Sequence, residues 1–320
     1  MSKAIALYSG GLDSLLAILT VKEQNIEVAA FKFLTGFGNA LKQEDEDLAR
    51  KFSFELQEVD IREKFFEILK NPRYGYGKNL NPCIDCKILM LKEAKTIMHQ
   101  YNAEFIVTGE VAGQRPMSQK KGIFSLMEKE TSLKGLILRP LSAKLLPPTI
   151  SELKGVIDRN LLYDISGRTR KPQIALAKKF GIEKIPQPAG GCLLTDPSFC
   201  KKVRDLFEHD ELTIKKTELL RIGRHFRISD RCKIIVGRNE SENETLLKIN
   251  KGVFLFPSDF KGPVVFLSGT YSEREIQVAA SICVYYSKRK NTEIVIKNEI
   301  TENKKIYDAI LEQEIVKYRL

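Results

Sequence analysis

The chain has 320 residues, 43% hydrophobic and 29% charged, with a formal net charge of +11, a globular composition long enough for two domains. No apolar run has the length needed to span a bilayer and no signal-peptide pattern precedes the first apolar segment, so a cytoplasmic location without membrane contact is expected. Six cysteines are too sparse for a disulfide scaffold and suit buried, metal-binding or catalytic roles. The basic balance points to a polyanionic partner. Most of the excess falls in residues 154–233, among them Arg168, Arg170, Lys171, Lys202, Lys216 and Arg227.

In chain order, Lys3–Tyr8 is an apolar strand, followed by Ser9-Gly10-Gly11-Leu12-Asp13-Ser14 and a helix opening at Leu15. Strands are predicted over Glu27–Phe33 and Leu56–Asp60, with a helix over Glu44–Phe52 between them. Pro82 opens a helix to about His99, and Phe105–Gly109 is a short buried strand. Leu136–Leu141 reads as another strand, Ser151 to about Asn160 as a helix, and Pro172–Phe180 as a helix stopped by Gly181. Pro186, Pro188, Gly190 and Gly191 form a loop into Cys192, and Pro197–Phe207 is a further helix. This alternation predicts an α/β fold with a doubly wound parallel sheet and ligands at the strand carboxyl ends. Near residue 215 the texture changes. Strands at Cys232–Gly237, Val253–Phe256 and Val264–Leu267, then a helix over Glu273–Ser287, predict a smaller α+β domain. The division is therefore drawn as 1–215 and 216–320.

The hexapeptide Ser9–Ser14 is a strand-to-helix turn. Its two glycines let backbone approach a ligand, and the helix start offers N–H donors to an anion. Ser9 and Ser14 add hydroxyls, and Asp13 can cap N–H groups or hold Mg²⁺. It is neither a Walker loop nor a dinucleotide fingerprint. The first and fourth strands both end near glycine and polar residues, which is where an anionic ligand would lie.

Asn81-Pro82-Cys83-Ile84-Asp85-Cys86 puts a C-x-x-C at a helix N-terminus, where the helix dipole biases both sulfurs toward thiolate. Cys192 stands far downstream after two glycines. Four readings are open: a [4Fe–4S] cluster on Cys83, Cys86 and Cys192; a persulfide pair of Cys86 and Cys192; a structural zinc adding Cys200; or buried free thiols. Cys232 and Cys283 fit core positions.

The hexapeptide resembles the PP-loop of the ATP pyrophosphatase superfamily, whose members cleave ATP between the α and β phosphates. With the cysteines, residues 1–205 look like a tRNA thiolation enzyme. Asn81-Pro82-Cys83-Ile84-Asp85-Cys86 matches the N-P-D-x-x-C of tRNA 2-thiouridylases, with Cys86 on the persulfide cysteine and Cys83 replacing Asp. That departure gives the cysteine set of cluster-dependent thiolases of the TtuA and archaeal ThiI kind. Thr108-Gly109-Glu110 stands where these enzymes have T-G-H, and Arg139-Pro140-Leu141 resembles their R-P-L segment. The resemblance implies that Ser9, Gly10, Gly11, Asp13, Ser14, Phe33, Thr108 and Gly109 bind ATP and Mg²⁺. It implies Asp13, Cys86 and Cys192 as catalytic residues, and Cys83, Cys86 and Cys192 as ligands of a [4Fe–4S] cluster. Residues 216–297 resemble the NFACT-R RNA-binding domain through Phe226-Arg227-Ile228, Ile235–Asn239 and Phe260–Val265. There Arg238 and Lys261 sit on turns that would reach phosphates.

The implied function is ATP-dependent tRNA sulfurtransfer to a uridine. Its partners would be tRNA and a sulfur donor, protein or sulfide, and a homodimer is allowed. The alternatives are a cluster-free persulfide thiolase, another PP-loop ligase or sulfur transferase on a small molecule, and a non-catalytic RNA-binding protein.

Overall fold

A computed structural model describes residues 2–185, 192–249 and 251–320. The chain forms two compact units, Met1–Thr195 and Asp196–Leu320. Among the described residues no helix is long and apolar enough to cross a membrane.

The first unit runs β1 (Lys3–Leu7), α1 (Leu12–Lys22), β2 (Glu27–Leu34), α2 (Gln43–Lys51), β3 (Glu55–Asp60), α3 (Arg62–Lys70) and α4 (Cys83–Gln100). It continues with β4 (Phe105–Thr108), α5 (Lys121–Thr131), β5 (Ile137–Leu138), α6 (Ile150–Leu153) and α7 (Lys171–Lys179). The five strands are parallel in the order β3-β2-β1-β4-β5. This is the expected α/β doubly wound sheet. Its central strands are buried along nearly their whole length, which is why they read as continuous apolar runs. Chain order reverses between β1 and β4. In an open parallel sheet such a reversal is the place for a ligand crevice, because neighbouring connections leave toward opposite faces. The Ser9–Ser14 loop follows β1 and Gly109 follows β4, so both motifs lie at that switch point.

Two predicted elements are shorter than the sequence suggests. The strand over Leu136–Leu141 contracts to Ile137–Leu138. Arg139 turns into a buried ion pair, and Pro140 has no N–H to continue a ladder. The helix expected to reach Asn160 stops at Leu153, with Gly155 in the left-handed region at φ +71° just beyond it. The loop expected at Pro186–Gly191 lies outside the described residues.

The second unit runs α8 (Pro197–Glu208), α9 (Ile214–Leu219), β6 (Arg224–Ser229), β7 (Cys232–Val236), α10 (Glu240–Leu247), β8 (Val253–Pro257) and β9 (Val265–Gly269). It closes with α11 (Glu273–Tyr286), β10 (Asn291–Lys297), β11 (Glu302–Asp308) and α12 (Glu312–Tyr318). Its sheet is antiparallel in the order β11-β10-β8-β9-β7-β6. Helix α11 packs Ala279, Ala280, Ile282 and Cys283 onto Phe226, Ile234, Leu255 and Val265. Cys232 and Cys283 are fully buried in that core, as their neighbours in sequence suggest. The motif-based division lies at 215/216, whereas by geometry α8 belongs to the second unit. Asp205 of α8 explains why. Its carboxylate is held by Arg227 of β6 at 2.7 and 2.8 Å and by Lys233 of β7 at 2.7 Å.

Candidate active site

The loop after β1 is braced from beneath. Gly10 has φ +76°, and a Cβ there would lie 3.2 Å from Lys32 Nζ and 3.3 Å from Asp45 Oδ1. Lys32 is a buried cation in the middle of β2. It donates to Asp45 at 3.0 Å and to the Ala40 carbonyl at 2.9 Å. Tyr8 donates to the same carboxylate at 2.8 Å. Burial alone would raise the Asp45 carboxyl, but hydrogen bonds from the Lys42 N–H, Lys32 and Tyr8 hold it below the usual range. Burial, reinforced by that negative charge, pushes the Tyr8 phenol up.

Above this brace the serines bind one another and the loop rather than standing open. Ser14 Oγ donates to the Gly11 carbonyl at 2.8 Å and accepts the Ser9 N–H at 3.2 Å, and the two hydroxyls meet at 3.1 Å. No side chain caps α1, so its first-turn N–H groups keep their anion-binding capacity. Asp13 sits in that turn. Its Oδ2 accepts from Gln114 Nε2 at 3.1 Å, while its Oδ1 is buried without a hydrogen-bond partner. An orphaned carboxylate oxygen at a helix start suits a Mg²⁺ ligand. Gly109 presses on this turn so closely that a Cβ would lie 2.5 Å from the Asp13 carbonyl carbon and the Ser14 nitrogen.

Phe33 and Thr108 stand near the carboxyl ends of β2 and β4, both buried. The Thr108 hydroxyl is engaged by Glu110 Oε2 at 3.2 Å. Glu110 is itself buried, accepting from Arg139 Nε at 3.2 Å and facing Lys87 Nζ at 3.7 Å. Arg139 also bonds Glu128 at 2.6 Å and lies over the Phe124 ring at 4.1 Å. The Arg139-Pro140-Leu141 segment is thus a structural clamp on Glu110. Gln114 and the Lys32–Asp45 brace were not singled out as site residues from the sequence. A lysine inside the apolar run of β2 was the one signal for the brace, and nothing local marked Gln114.

The structure gathers the cysteines around the start of α4. Cys83 is the first residue of α4, and its thiol donates to Asn81 Oδ1 at 3.1 Å. Cys192 begins a tight turn whose Leu194 carbonyl accepts the Leu80 N–H at 3.2 Å, and Asn79 Nδ2 reaches the Thr195 carbonyl at 2.8 Å. That seam lays Cys192 against the approach to Cys83 and Cys86. The thiols depart from the expected thiolate bias. Burial pushes Cys86 up to about 12, opposed by Lys87 and aided by the charges of Cys192 and Cys83. Burial also raises Cys83, against the lowering effects of Arg115 and Lys87. Desolvation outweighs the helix dipole here. Three soft donors fit an iron–sulfur cluster in kind. Among the described residues, however, no three His, Cys, Asp or Glu side chains converge as a single metal ion requires. Cys200, the fourth donor of the zinc alternative, is buried in the second unit.

Residues 1–144 match the family model described as thiamine biosynthesis protein (ThiI), and residues 223–319 match that of the NFACT protein RNA binding domain. The first part of the chain is thus similar to ThiI and its last part to the NFACT RNA binding domain. Among solved structures, a 4-thiouridine synthetase in complex with RNA and ATP is similar at 17% identity and a TM-score of 0.41, over 68% of this chain and 53% of that one. The chain therefore spans about half the length of that synthetase. An NH3-dependent NAD synthetase from Campylobacter jejuni is similar at 13% identity and a TM-score of 0.34, over 68% of this chain and 82% of that one. No curated protein matches the chain. The ThiI-type match includes the Ser9–Ser14 loop, Cys83 and Cys86, and ends before Cys192.

Proposed function

We propose that this protein is an ATP-dependent tRNA sulfurtransferase that adenylates a uridine carbonyl oxygen and exchanges that oxygen for sulfur, giving 2- or 4-thiouridine. The observation that carries the reading is a continuous path from Asp13 to the cysteine pair. Asp13 abuts Gly109, Thr108 binds Glu110, and Glu110 faces Lys87, the neighbour of Cys86. ATP would rest its triphosphate on the Ser9–Ser14 loop, with Mg²⁺ at Asp13 Oδ1. The uridine oxygen attacks the α phosphorus, and pyrophosphate leaves. Preorganised N–H groups of the loop oppose charge on the transferring group. A hydrosulfide sulfur then adds to the activated carbon and loses its proton, and AMP departs with the oxygen; from a Cys86 persulfide, attack by Cys192 on the Cys86 sulfur would close a disulfide and release that same hydrosulfide. The ThiI-type match supports the reaction class, and the NFACT-R-type match supports RNA as substrate.

Cys83, Cys86 and Cys192 would hold a [4Fe–4S] cluster. Three protein thiolates would leave the cluster open to an exogenous sulfide. Among the described residues no three-ligand set converges, which supports a second reading, a persulfide on Cys86 paired with Cys192. Both readings need an outside sulfur donor.

Anaerobic purification, iron analysis and nucleoside mass spectrometry of treated tRNA separate the two. The cluster reading expects about four irons per chain and loss of thiolation in each of Cys83→Ala, Cys86→Ala and Cys192→Ala. Iron-free protein that thiolates, and that tolerates Cys83→Ala, establishes the persulfide pair. Cys200, Cys232 and Cys283 should accept Ala with activity retained. Absence of both tRNA-dependent AMP release and any thiolated nucleoside would overturn the proposal as a whole.

A further inference from the structure

The basic excess of residues 154–233 separates into two groups in the structure. Arg227 and Lys216 face Asp205 and Glu211 inside the second unit, and Lys179 pairs with Glu23 in the first. Arg168, Arg170 and Lys171 have no acidic partner among the described residues; Arg168 and Lys171 are exposed and Arg170 half-buried.

Their position is set by a backbone seam. Ser166 forms a parallel bridge with Ala112, and the Gly167 N–H donates to the Ala112 carbonyl at 2.8 Å. Ser142 Oγ ties the two segments, accepting the Ala112 N–H at 2.9 Å and donating to the Ile165 carbonyl at 2.6 Å. Gly113 and Gly167, at φ +76° and +79°, let the strands meet closely. The next residue on one side is Gln114, which holds Asp13 at 3.1 Å. On the other side come Arg168, Arg170 and Lys171, and α7, which begins there, packs on α1. Three cations without an acidic partner among the described residues therefore follow the seam whose other strand leads through Gln114 to Asp13.

We infer that Arg168, Arg170 and Lys171 are a docking surface for the phosphodiester backbone of the RNA strand whose base is adenylated at Asp13. The inference rests on the reading above that RNA is the substrate. Guanidinium groups match phosphate oxygens in bidentate fashion, and phosphate contacts set a strand's position without reading its sequence. That is the requirement of an enzyme that must bring one base to a fixed carboxylate. Cations without an acidic partner are open to such a phosphate, whereas Arg227 is already held by Asp205 and Glu211.

The triphosphate of ATP offers the same chemistry, so the test has two arms. The full-length chain is titrated with transcribed tRNA across a salt series, and separately with ATP. In the triple variant Arg168→Gln, Arg170→Gln, Lys171→Gln, tRNA affinity at low salt should fall on the order of tenfold or more, and the slope of log affinity against log salt should shrink by about two to three. Arg168→Gln alone, at an exposed position, should shrink the slope by about one. ATP affinity should stay within about twofold of wild type, which also shows that the fold is intact. A control at the exposed lysines Lys92, Lys129 and Lys134, each changed to Gln, should leave the slope near wild type. Wild-type tRNA affinity and slope in the triple variant would overturn the inference while leaving the proposed function standing. An equal loss in the control, or a loss confined to ATP, would overturn it as well. If the wild-type chain binds no tRNA, the reading of RNA as substrate fails first, and this inference with it.

Discussion

Asp13 carries one carboxylate oxygen bound to Gln114 and one buried and bare. A carboxylate in that state costs stability unless a cation or donor arrives during function. Asp13→Ala should leave the melting temperature at or above that of wild type, while AMP formation falls at least a hundredfold, the order expected for loss of transition-state charge stabilisation. Wild-type AMP production would remove this loop from the reaction. Gly109→Ala acts on the same turn by shape alone. Its methyl would meet backbone atoms at 2.5 Å, and backbone cannot move aside as a flexible side chain can. Overpacking of this kind costs about 1–3 kcal/mol. A lower melting temperature with weakened ATP binding is expected, and calorimetry reads both. The sequence of the loop made Asp13 legible because its glycines and carboxylate sit within one turn. Gln114 was not legible, because its role exists only where a distant loop crosses α1.

Among the elements, α8 buries Phe199, Val203 and Leu206 together with one carboxylate, Asp205. Burial alone would raise Asp205, but hydrogen bonds and charge from Arg227 and Lys233 hold it below the usual carboxylate range. Lys233 is itself pushed down by burial despite this pair. A depressed carboxyl contributes stability above its unfolded-state value near pH 4 and loses it as pH falls through the lower folded-state value. The second unit should therefore lose thermal stability in acid below about pH 4. Asp205→Asn should blunt that acid dependence and cost about 3–5 kcal/mol at neutral pH, since it leaves buried cations unpaired. Chemical denaturation at pH 7 and pH 3 checks both outcomes. The same scale shows where patterning misleads. Strand β11, Glu-Asn-Lys-Lys-Ile-Tyr-Asp, lies at a sheet edge and is mostly exposed, so it lacks the apolar run that announced β1 and β4. The turns expected to carry phosphate-binding cations offer less than their sequence suggests. Arg238 is clasped by Glu242, and Lys261 pairs with Glu240 at 3.1 Å.

For the whole molecule, two units with separate cores imply separable duties. Deleting residues 196–320 should keep ATP binding by the ThiI-type domain and weaken tRNA binding, with a shallower salt dependence. Equal tRNA affinity in filter binding would take the NFACT-R-type domain out of the reaction. The sequence by itself determined the parallel-sheet architecture, the Ser9–Ser14 turn and the C-x-x-C at a helix start, because each rests on local signals: apolar runs, glycine turns, and spacing within a few residues. Tertiary structure alone decided which residues those motifs meet. Chain reversal between β1 and β4 brings Gly109 onto Asp13, and the seam at Leu80 and Leu194 brings Cys192 to Cys86. Burial then raised the Cys86 and Cys83 thiols against the expected thiolate bias. Desolvation depends on everything packed around a group, and no stretch of sequence near Cys86 contains that information.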